Sequence, residues 1–173
     1  MSAIELPEVE VYTDGSCYPN PDGPGGWAFV VHYEGKIVER YGHLKSTTNN
    51  VAELTAIKRA LFFLHLTEHP VKIYTDSNYA KKSVTTFYDL WQRSKWINSI
   101  GQPVANKRLI KEVRLLIELH RRTRDLSIVT IRGHAGNPFN ERADELAGRA
   151  RIEKIFFEKG CGEKLSIDTE TVS

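Results

Sequence analysis

The chain has 173 residues and a formal net charge of +2 at pH 7, with 40% hydrophobic and 27% charged residues. This length suits one domain with a sizeable core. No apolar run reaches the roughly 18–20 residues of a membrane span, and the N-terminus lacks the basic-then-apolar pattern of a secretory signal. We therefore expect a monomer in the cytoplasm that does not contact membranes. Cys17 and Cys161 lack metal-ligand spacing, so we interpret them as reduced thiols, with a disulfide between them as the alternative.

Positive charge is concentrated in the middle of the chain. Between residues 81 and 124 there are eleven Lys and Arg against three acids, a net charge of +8. After Ile152 the balance reverses, with five acids against three lysines. A basic middle region predicts a face that binds a polyanion, and the alternative is an ordinary solvated surface.

The first third of the chain predicts three strands. Val9 to Asp14 is apolar and β-branched, and residues 15–26 are rich in Gly and Pro, as in a turn-rich loop. Trp27 to Tyr33 and Lys36 to His43 then alternate in hydropathy around Glu34-Gly35, which is typical of an antiparallel hairpin.

A helix is predicted next, over Val51 to Leu66. The segment Thr47 to Asn50 offers N-cap side chains, and apolar residues recur at spacings of three and four. Glu53 points with the apolar face. A carboxylate in the first turn also favours the helix dipole, but that effect does not require the core-facing side. Glu53 is therefore a candidate metal ligand.

The rest of the chain alternates between strands and helices. Val71 to Asp76 is a strand that follows a helical crossover, so it is expected to lie parallel to the first strand. The next predicted elements are a helix over Asn78–Tyr88, an irregular segment over Trp91–Val104 and a basic amphipathic helix over Asn106–Arg122. They are followed by a strand over Ser127–Arg132, a loop over Gly133–Asn137 and a helix over Phe139–Glu153. Residues 156–173 are expected to form a tail that is ordered only if Ile155, Phe156 and Phe157 dock on the domain.

Two of the predicted strands end in an aspartate. Thr13-Asp14-Gly15 and Thr75-Asp76-Ser77 are near-copies, and parallel neighbouring strands deliver their last residues to the same edge of a sheet. Two carboxylates side by side in a cleft either share a proton or bind a divalent cation, and we favour the cation. Asp144, one turn inside the last helix, is a fourth candidate acid.

The order of these motifs resembles type I ribonuclease H of the bacterial kind. The resemblance covers roughly residues 9–152 and rests on four motifs in one order: Thr13-Asp14-Gly15-Ser16, Thr48-Asn49-Asn50-Val51-Ala52-Glu53-Leu54, Thr75-Asp76-Ser77, and Gly133-His134-Ala135-Gly136 with Asn140-Glu141-Arg142-Ala143-Asp144. Each motif alone is weak. The resemblance implies an α/β fold of the ribonuclease H-like type: a five-stranded mixed sheet, with three antiparallel strands followed by parallel additions, and helices on both faces.

The same resemblance divides the chain into three parts. Residues 1–8 are an N-terminal extension and 9–152 the catalytic domain, with a basic protrusion at about 87–106. Residues 153–173 are a C-terminal tail.

The resemblance also implies an activity, which is hydrolysis of the RNA strand of RNA–DNA hybrids. Asp14, Glu53, Asp76 and Asp144 would be the metal-binding carboxylates. Such a set can hold two Mg²⁺ ions about 3.5–4 Å apart, with Mn²⁺ as a possible substitute, and would leave 5′-phosphate and 3′-hydroxyl ends. His134 would accept a proton from the attacking water or help the product leave. An incidental histidine beside glycines is the alternative.

Hybrid recognition is assigned to two groups of residues. The first is beside the carboxylates in sequence: Asn20, Thr48, Asn49 and Asn78. Amides can read 2′-hydroxyls in the minor groove, although helix capping and chain turning explain some of them equally well. The second is in the protrusion: Trp91, Arg93, Lys95 and Trp96. Aromatics interleaved with cations suit stacking and phosphate contacts, and internal packing of the tryptophans is the alternative.

The protrusion departs from the family pattern by having few lysines and an intruding Asp89. We therefore expect Arg108, Lys111 and Arg114 to share in binding the hybrid. The alternatives are a DNA-acting integrase or resolvase of the same metal-dependent fold and a catalytically silent hybrid-binding module. The Gly-His-Ala-Gly segment argues against the first, and the intact set of four carboxylates argues against the second.

Overall fold

One mixed sheet forms the centre of the molecule. In the computed structural model, which describes residues 4–154, the strands are β1 (Val9–Cys17), β2 (Gly25–Tyr33), β3 (Lys36–Leu44), β4 (Val71–Thr75) and β5 (Leu126–Thr130). They lie in the order β3-β2-β1-β4-β5. The first three strands pair antiparallel, and β4 and β5 add parallel to β1. The predicted sheet is confirmed.

Helices cover both faces of this sheet, as predicted. They are α1 (Asn49–Phe63), α2 (Asn78–Val84), α3 (Thr86–Arg93), α4 (Lys107–Arg121) and α5 (Pro138–Glu153). The first four belong to one side of the sheet, and α5 packs alone on the other. Among residues 4–154, none of the helices has the length and apolar character needed to cross a bilayer.

The larger core lies between the sheet, α1 and α4. Its fully buried side chains include Leu54, Ile57 and Leu61 of α1 and Ile110 and Ile117 of α4. Burial of each such side chain contributes roughly 1.5–3 kcal/mol, so this layer fixes α1 against the sheet. The N-terminal part of α1, which carries Glu53, is thereby held over β1.

The smaller core lies under α5 and is built mainly from alanines. Ala143, Ala147 and Ala150 are fully buried against β1 and β2, together with Leu146. A Cβ atom on Gly26 of β2 would lie 2.2 Å from the carbonyl oxygen of Ala147, so the missing side chain lets the helix backbone approach the strand. Small residues on both sides bring α5 close to the sheet.

The prediction of one helix over Asn78–Tyr88 is wrong, because the helix is interrupted at Thr85 and divides into α2 and α3. The second of these, α3, continues to Arg93, within the segment expected to be irregular. Thr85 has φ −121° and ψ −100°, and its hydroxyl donates to the carbonyl of Lys81 at 2.7 Å. Hydroxyls that bond to backbone carbonyls one turn earlier and runs of β-branched residues both weaken helices. The expected contact of Ile155, Phe156 and Phe157 with the domain lies outside residues 4–154, as does Cys161.

Candidate active site

Parallel pairing of β1 and β4 brings two aspartates to one edge of the sheet. Thr13 pairs with Thr75, and each is followed directly by an aspartate, Asp14 or Asp76. Asp14 is only 5% exposed. Ligand atoms of Asp14, Glu53 and Asp76 all lie within 4.8 Å of one another. The structure thus joins three of the four predicted carboxylates in one cluster.

Glu53 reaches this cluster because α1 approaches β1 closely. A Cβ atom on Gly15 would lie 2.3 Å from the backbone nitrogen of Glu53, so any larger residue at position 15 would push the helix away. The helix begins where the Thr48 hydroxyl accepts a hydrogen bond from the Val51 N–H at 3.1 Å. The role of Gly15 in this contact was not predicted from the sequence. The local signal for it was the glycine directly after Asp14.

Burial and mutual repulsion oppose ionisation of these acids. Burial, followed by the charge of Asp76, raises the pKa of Asp14 to about 8. Burial and the charge of Asp14 raise the pKa of Glu53 well above its usual value. The Oε2 atom of Glu53 is buried without a hydrogen-bond partner among the described residues. An unsatisfied buried carboxylate oxygen within a carboxylate cluster fits a divalent cation, which would satisfy the oxygen and neutralise the repulsion.

Asp144 lies at the rim of the cluster. It is exposed on α5, and its charge raises the pKa of both Asp14 and Asp76. In Asp76 burial is the larger cause of the upward shift. Asp144 therefore acts electrostatically on the other acids while its own side chain remains open to solvent.

His134 lies on an exposed loop beside Asp76. A Cβ atom on Gly133 would lie 2.9 Å from the Oδ2 atom of Asp76, so the glycine lets the loop pass close to that carboxylate. His134 has a φ of 55°, and its charge opposes the rise in the pKa of Asp76. The imidazole is thus near the acids without belonging to the three-residue cluster.

Known proteins match this chain in sequence and in fold. A family model described as RNase H matches residues 7–152. The chain belongs to the ribonuclease H family. A protein of Granulibacter bethesdensis named ribonuclease H is 48% identical over 147 residues, which are 84% of this chain and 93% of that protein. The chain is thus a hydrolytic nuclease of type I, and the integrase alternative is not favoured.

Solved structures of ribonuclease H proteins share the fold. LC9-RNase H1, described as a type 1 RNase H with the type 2 active-site motif, has a TM-score of 0.74 and 28% identity over 90% of this chain and 77% of that one. LC11-RNase H1, solved in complex with an RNA/DNA hybrid, has a TM-score of 0.60 and 26% identity over 84% of this chain and 98% of that one.

Polar residues expected to recognise substrate lie at the starts of α1 and α2 in this ribonuclease H. The Asn20 side-chain carbonyl accepts a hydrogen bond from the Asn49 N–H at 3.1 Å, which ties the β1–β2 loop to α1. The Asn49 and Asn78 side chains are exposed, whereas Thr48 is half-buried and caps α1. Thr48 and Asn20 therefore have structural contacts, and Asn49 and Asn78 face solvent.

The aromatic residues of the protrusion pack on one another. Trp96 is 7% exposed, with its ring centroid 5.3 Å from that of Tyr88 and 6.0 Å from that of Trp91. The ammonium groups of Lys107 and Lys111 lie over the Trp96 ring, at 5.7 and 5.9 Å from its centroid. These contacts favour the packing alternative for Trp96.

The cations of the protrusion differ from Arg114 of α4 in exposure and in their contacts within the fold. Arg93 and Lys95 are exposed. Arg114, which was expected to bind the hybrid, instead bonds to Glu118 at 2.9 Å and to the carbonyl of Val84 at 3.1 Å, with its side chain only 19% exposed. The sequence could not show this, because the partner at residue 84 comes from the separate helix α2.

Proposed function

We propose that this enzyme hydrolyses the RNA strand of RNA–DNA hybrids and leaves 5′-phosphate and 3′-hydroxyl ends. One observation carries the proposal, namely the three carboxylates within 4.8 Å of one another, which include a buried oxygen without a hydrogen-bond partner in the described chain. Family membership and the hybrid bound to LC11-RNase H1 support the choice of substrate.

The acids are proposed to hold two divalent ions, Mg²⁺ or, as a substitute, Mn²⁺. Asp14 and Glu53 supply buried ligands, Asp76 supplies a half-buried one, and the exposed Asp144 supplies a ligand at the rim. When bound, the ions supply an activated water and stabilise charge on the leaving oxygen. Oxygen ligands with these charges suit hard cations such as Mg²⁺.

His134 is proposed to take up a proton at an imidazole nitrogen. It is exposed, close enough to Asp76 for its charge to oppose the rise in pKa that burial causes there, and next to Gly133, which closely approaches the same carboxylate. An exposed side chain on a loop can move between the attacking water and solvent, which suits proton transfer or assistance in product release.

Selection of RNA is proposed for the amides around the helix starts. Asn20, Asn49 and Asn78 can donate to and accept from a 2′-hydroxyl, which distinguishes RNA from DNA in the minor groove. The bond between Asn20 and the Asn49 backbone holds two of these residues in one place at the N-terminus of α1. Thr48, at the same helix end, is proposed to contact a phosphate of the DNA strand.

The DNA strand is proposed to contact the protrusion through Arg93 and Lys95. Both are exposed and can neutralise phosphates. The bond from Arg93 Nε to the Asp89 carbonyl, at 3.3 Å, leaves the other guanidinium nitrogens of Arg93 available. Trp91 is half-buried and offers part of its ring. Trp96 is proposed to act through its packing, by holding the ammonium groups of Lys107 and Lys111 on the surface.

A cleavage assay tests the proposal. The protein is incubated with end-labelled hybrid, duplex RNA and duplex DNA, in Mg²⁺ and in chelator, with Asp14→Asn as the inactive control. We expect cutting of the RNA strand of the hybrid alone, in Mg²⁺ alone, with products that a 5′-phosphate-dependent exonuclease degrades. Cutting of the DNA strand, or cutting in chelator, would overturn the proposal. A monomeric state and a cytoplasmic location stay predictions, for sedimentation and cell fractionation to test.

A further inference from the structure

An ion pair outside the acidic cluster joins α5 to the edge strand β3. The Nε atom of Arg142 donates to Glu39 Oε1 at 2.7 Å, and Nη2 donates to Glu39 Oε2 at 3.0 Å. The remaining guanidinium nitrogen lies 3.0 Å from Glu145 Oε1. A planar guanidinium bound through two parallel hydrogen bonds is directional as well as strong. The pair therefore holds α5 in one orientation relative to β3.

Arg142 and Asp144 project from opposite flanks of the same helix. At 3.6 residues per turn, positions two residues apart are separated by roughly 200° around the helix axis. Arg142 reaches toward β3, the edge strand, while Asp144 lies near enough to the acids of β1 and β4 to raise their pKa values. Rolling of α5 about its axis would therefore move both side chains together.

The alanines of α5 contribute little to restraining such rolling. It is otherwise opposed by Phe139, packed on Tyr12 and His32, and by the bond from Arg151 to Ser16. The buried stripe of α5 includes Ala143, Ala147 and Ala150, with Leu146 as its large member. Alanine side chains are too short to interdigitate with their neighbours. The buried stripe therefore fixes the distance between α5 and the sheet better than it fixes the rotation of α5 about its own axis. Repulsion from Asp14 and Asp76 meanwhile pushes Asp144 outward whenever the three acids are ionised. A restraint on the opposite flank counters this push.

We propose that the Glu39–Arg142 pair is a positioning element of the active site, which sets the roll of α5 and thereby holds Asp144 toward the cluster of Asp14, Glu53 and Asp76. The inference rests on the proposed metal-binding role of Asp144. Neither Glu39 nor Arg142 is assigned a contact with metal or hybrid.

The direct test measures Mn²⁺ binding to the hybrid-free protein by electron paramagnetic resonance. Glu39→Gln keeps the size of the side chain and removes its charge, while Arg142→Lys keeps the charge and removes the two-bond geometry. We expect each variant to bind Mn²⁺ about tenfold more weakly, the lower end of the effect seen for residues that orient metal ligands. The Mg²⁺ concentration for half-maximal cleavage should rise by a similar factor, with the KM for hybrid unchanged.

Arg149→Gln is the matched control. It removes another ion pair of α5, that with Glu153 at 3.5 Å, on side chains with comparable exposure. Its Mn²⁺ affinity should equal that of the wild type. The losses in the double variant Glu39→Gln/Arg142→Lys should be less than additive, because both substitutions act on the same pair.

The proposal is overturned if Glu39→Gln and Arg142→Lys lower the melting temperature as Arg149→Gln does but leave Mn²⁺ affinity at the wild-type value. Additive losses in the double variant would also contradict it. Failure of the proposed function would look different: the wild type would bind Mn²⁺ and show the same shifts in the variants, yet would not cleave hybrid.

Discussion

The acidic cluster is assembled from separate elements of the fold, whereas the protrusion is a single stretch of the chain. The cluster draws its acids from β1, α1 and the end of β4, which are far apart in sequence, and Asp144 of α5 lies at its rim. The protrusion is one continuous segment, about residues 87–106, with Trp96 packed inward and Arg93 and Lys95 exposed. Chemistry on a phosphodiester needs fixed distances, which a rigid sheet supplies, whereas attraction of a polyanion needs only charge within reach.

The two regions also differ in their effect on stability. Three acids held within 4.8 Å of one another destabilise the metal-free fold as they ionise, because each is desolvated and repelled by the others. Exposed cations such as Arg93 and Lys95 cost little, since water and salt screen them. The comparison therefore predicts large catalytic effects with a gain in stability at the cluster, and small binding effects at the protrusion.

The largest effect is expected for Asp14→Asn. Loss of a buried ligand from the cluster should lower kcat/KM on a labelled hybrid by about a thousandfold or more, since the bound ions supply most of the chemistry. Asp125→Asn, an exposed aspartate directly before β5 at the far end of the sheet, is the control and should keep full activity. A fully active Asp14→Asn protein would remove Asp14 from the site.

A smaller loss is expected for His134→Ala. Proton transfer by a positioned side chain contributes roughly a hundredfold or more to the rate, and water can replace an exposed histidine in part, so we expect kcat to fall by about 10- to 100-fold. Single-turnover cleavage of hybrid measures the chemical step. His65→Ala, on the exposed end of the α1 region, should change nothing. A loss as large as that of Asp14→Asn would instead make His134 a metal ligand.

The protrusion is expected to respond more weakly still. Arg93→Ala should raise the KM for hybrid by about two- to fivefold at moderate salt, with kcat unchanged. The slope of log KM against log salt should fall by about the contribution of one phosphate contact. Steady-state kinetics over a range of salt concentrations measures both. Arg122→Ala removes an exposed arginine from the far end of α4 and should leave KM unchanged. Equal effects of the two variants would show general charge attraction without a specific role for the protrusion.

The smallest effect concerns pH and the melting temperature in chelator. The pKa of Asp14, about 8 in the fold, lies above its ordinary value, so the folded state binds the proton more tightly than the unfolded state. The contribution of Asp14 to the free energy of unfolding is therefore fully present at low pH and is lost as the pH rises toward 8. Asp14→Asn should melt a few degrees above the wild type at pH 8 and near it at pH 5.

Magnesium supplies the control for that comparison. Added Mg²⁺ should raise the melting temperature of the wild type at pH 8 and reduce its deficit, because a ligand that binds only the folded state stabilises it. A wild type that melts at the same temperature as Asp14→Asn at every pH in chelator would contradict the electrostatic account of the cluster.

Much of the catalytic site could be predicted from the sequence, because its signals are local. Alternating apolar residues indicate the strands, and Asp14 and Asp76 each follow such a run directly, so the parallel sheet had to bring them together. The apolar stripe of α1 similarly placed Glu53 on the buried side. These inferences needed only periodicities of two and 3.6 residues and the rule for helical crossovers.

Tertiary structure decided the features that depend on which elements meet. The burial of Trp96, the use of Arg114 within the fold and the bond between Glu39 and Arg142, 103 residues apart, have no local signal. Whether a cation faces a ligand or a carboxylate is set by the packing of separate helices and strands. The sequence therefore determined where the acids converge, and the fold alone decided which charges remain free to bind a substrate.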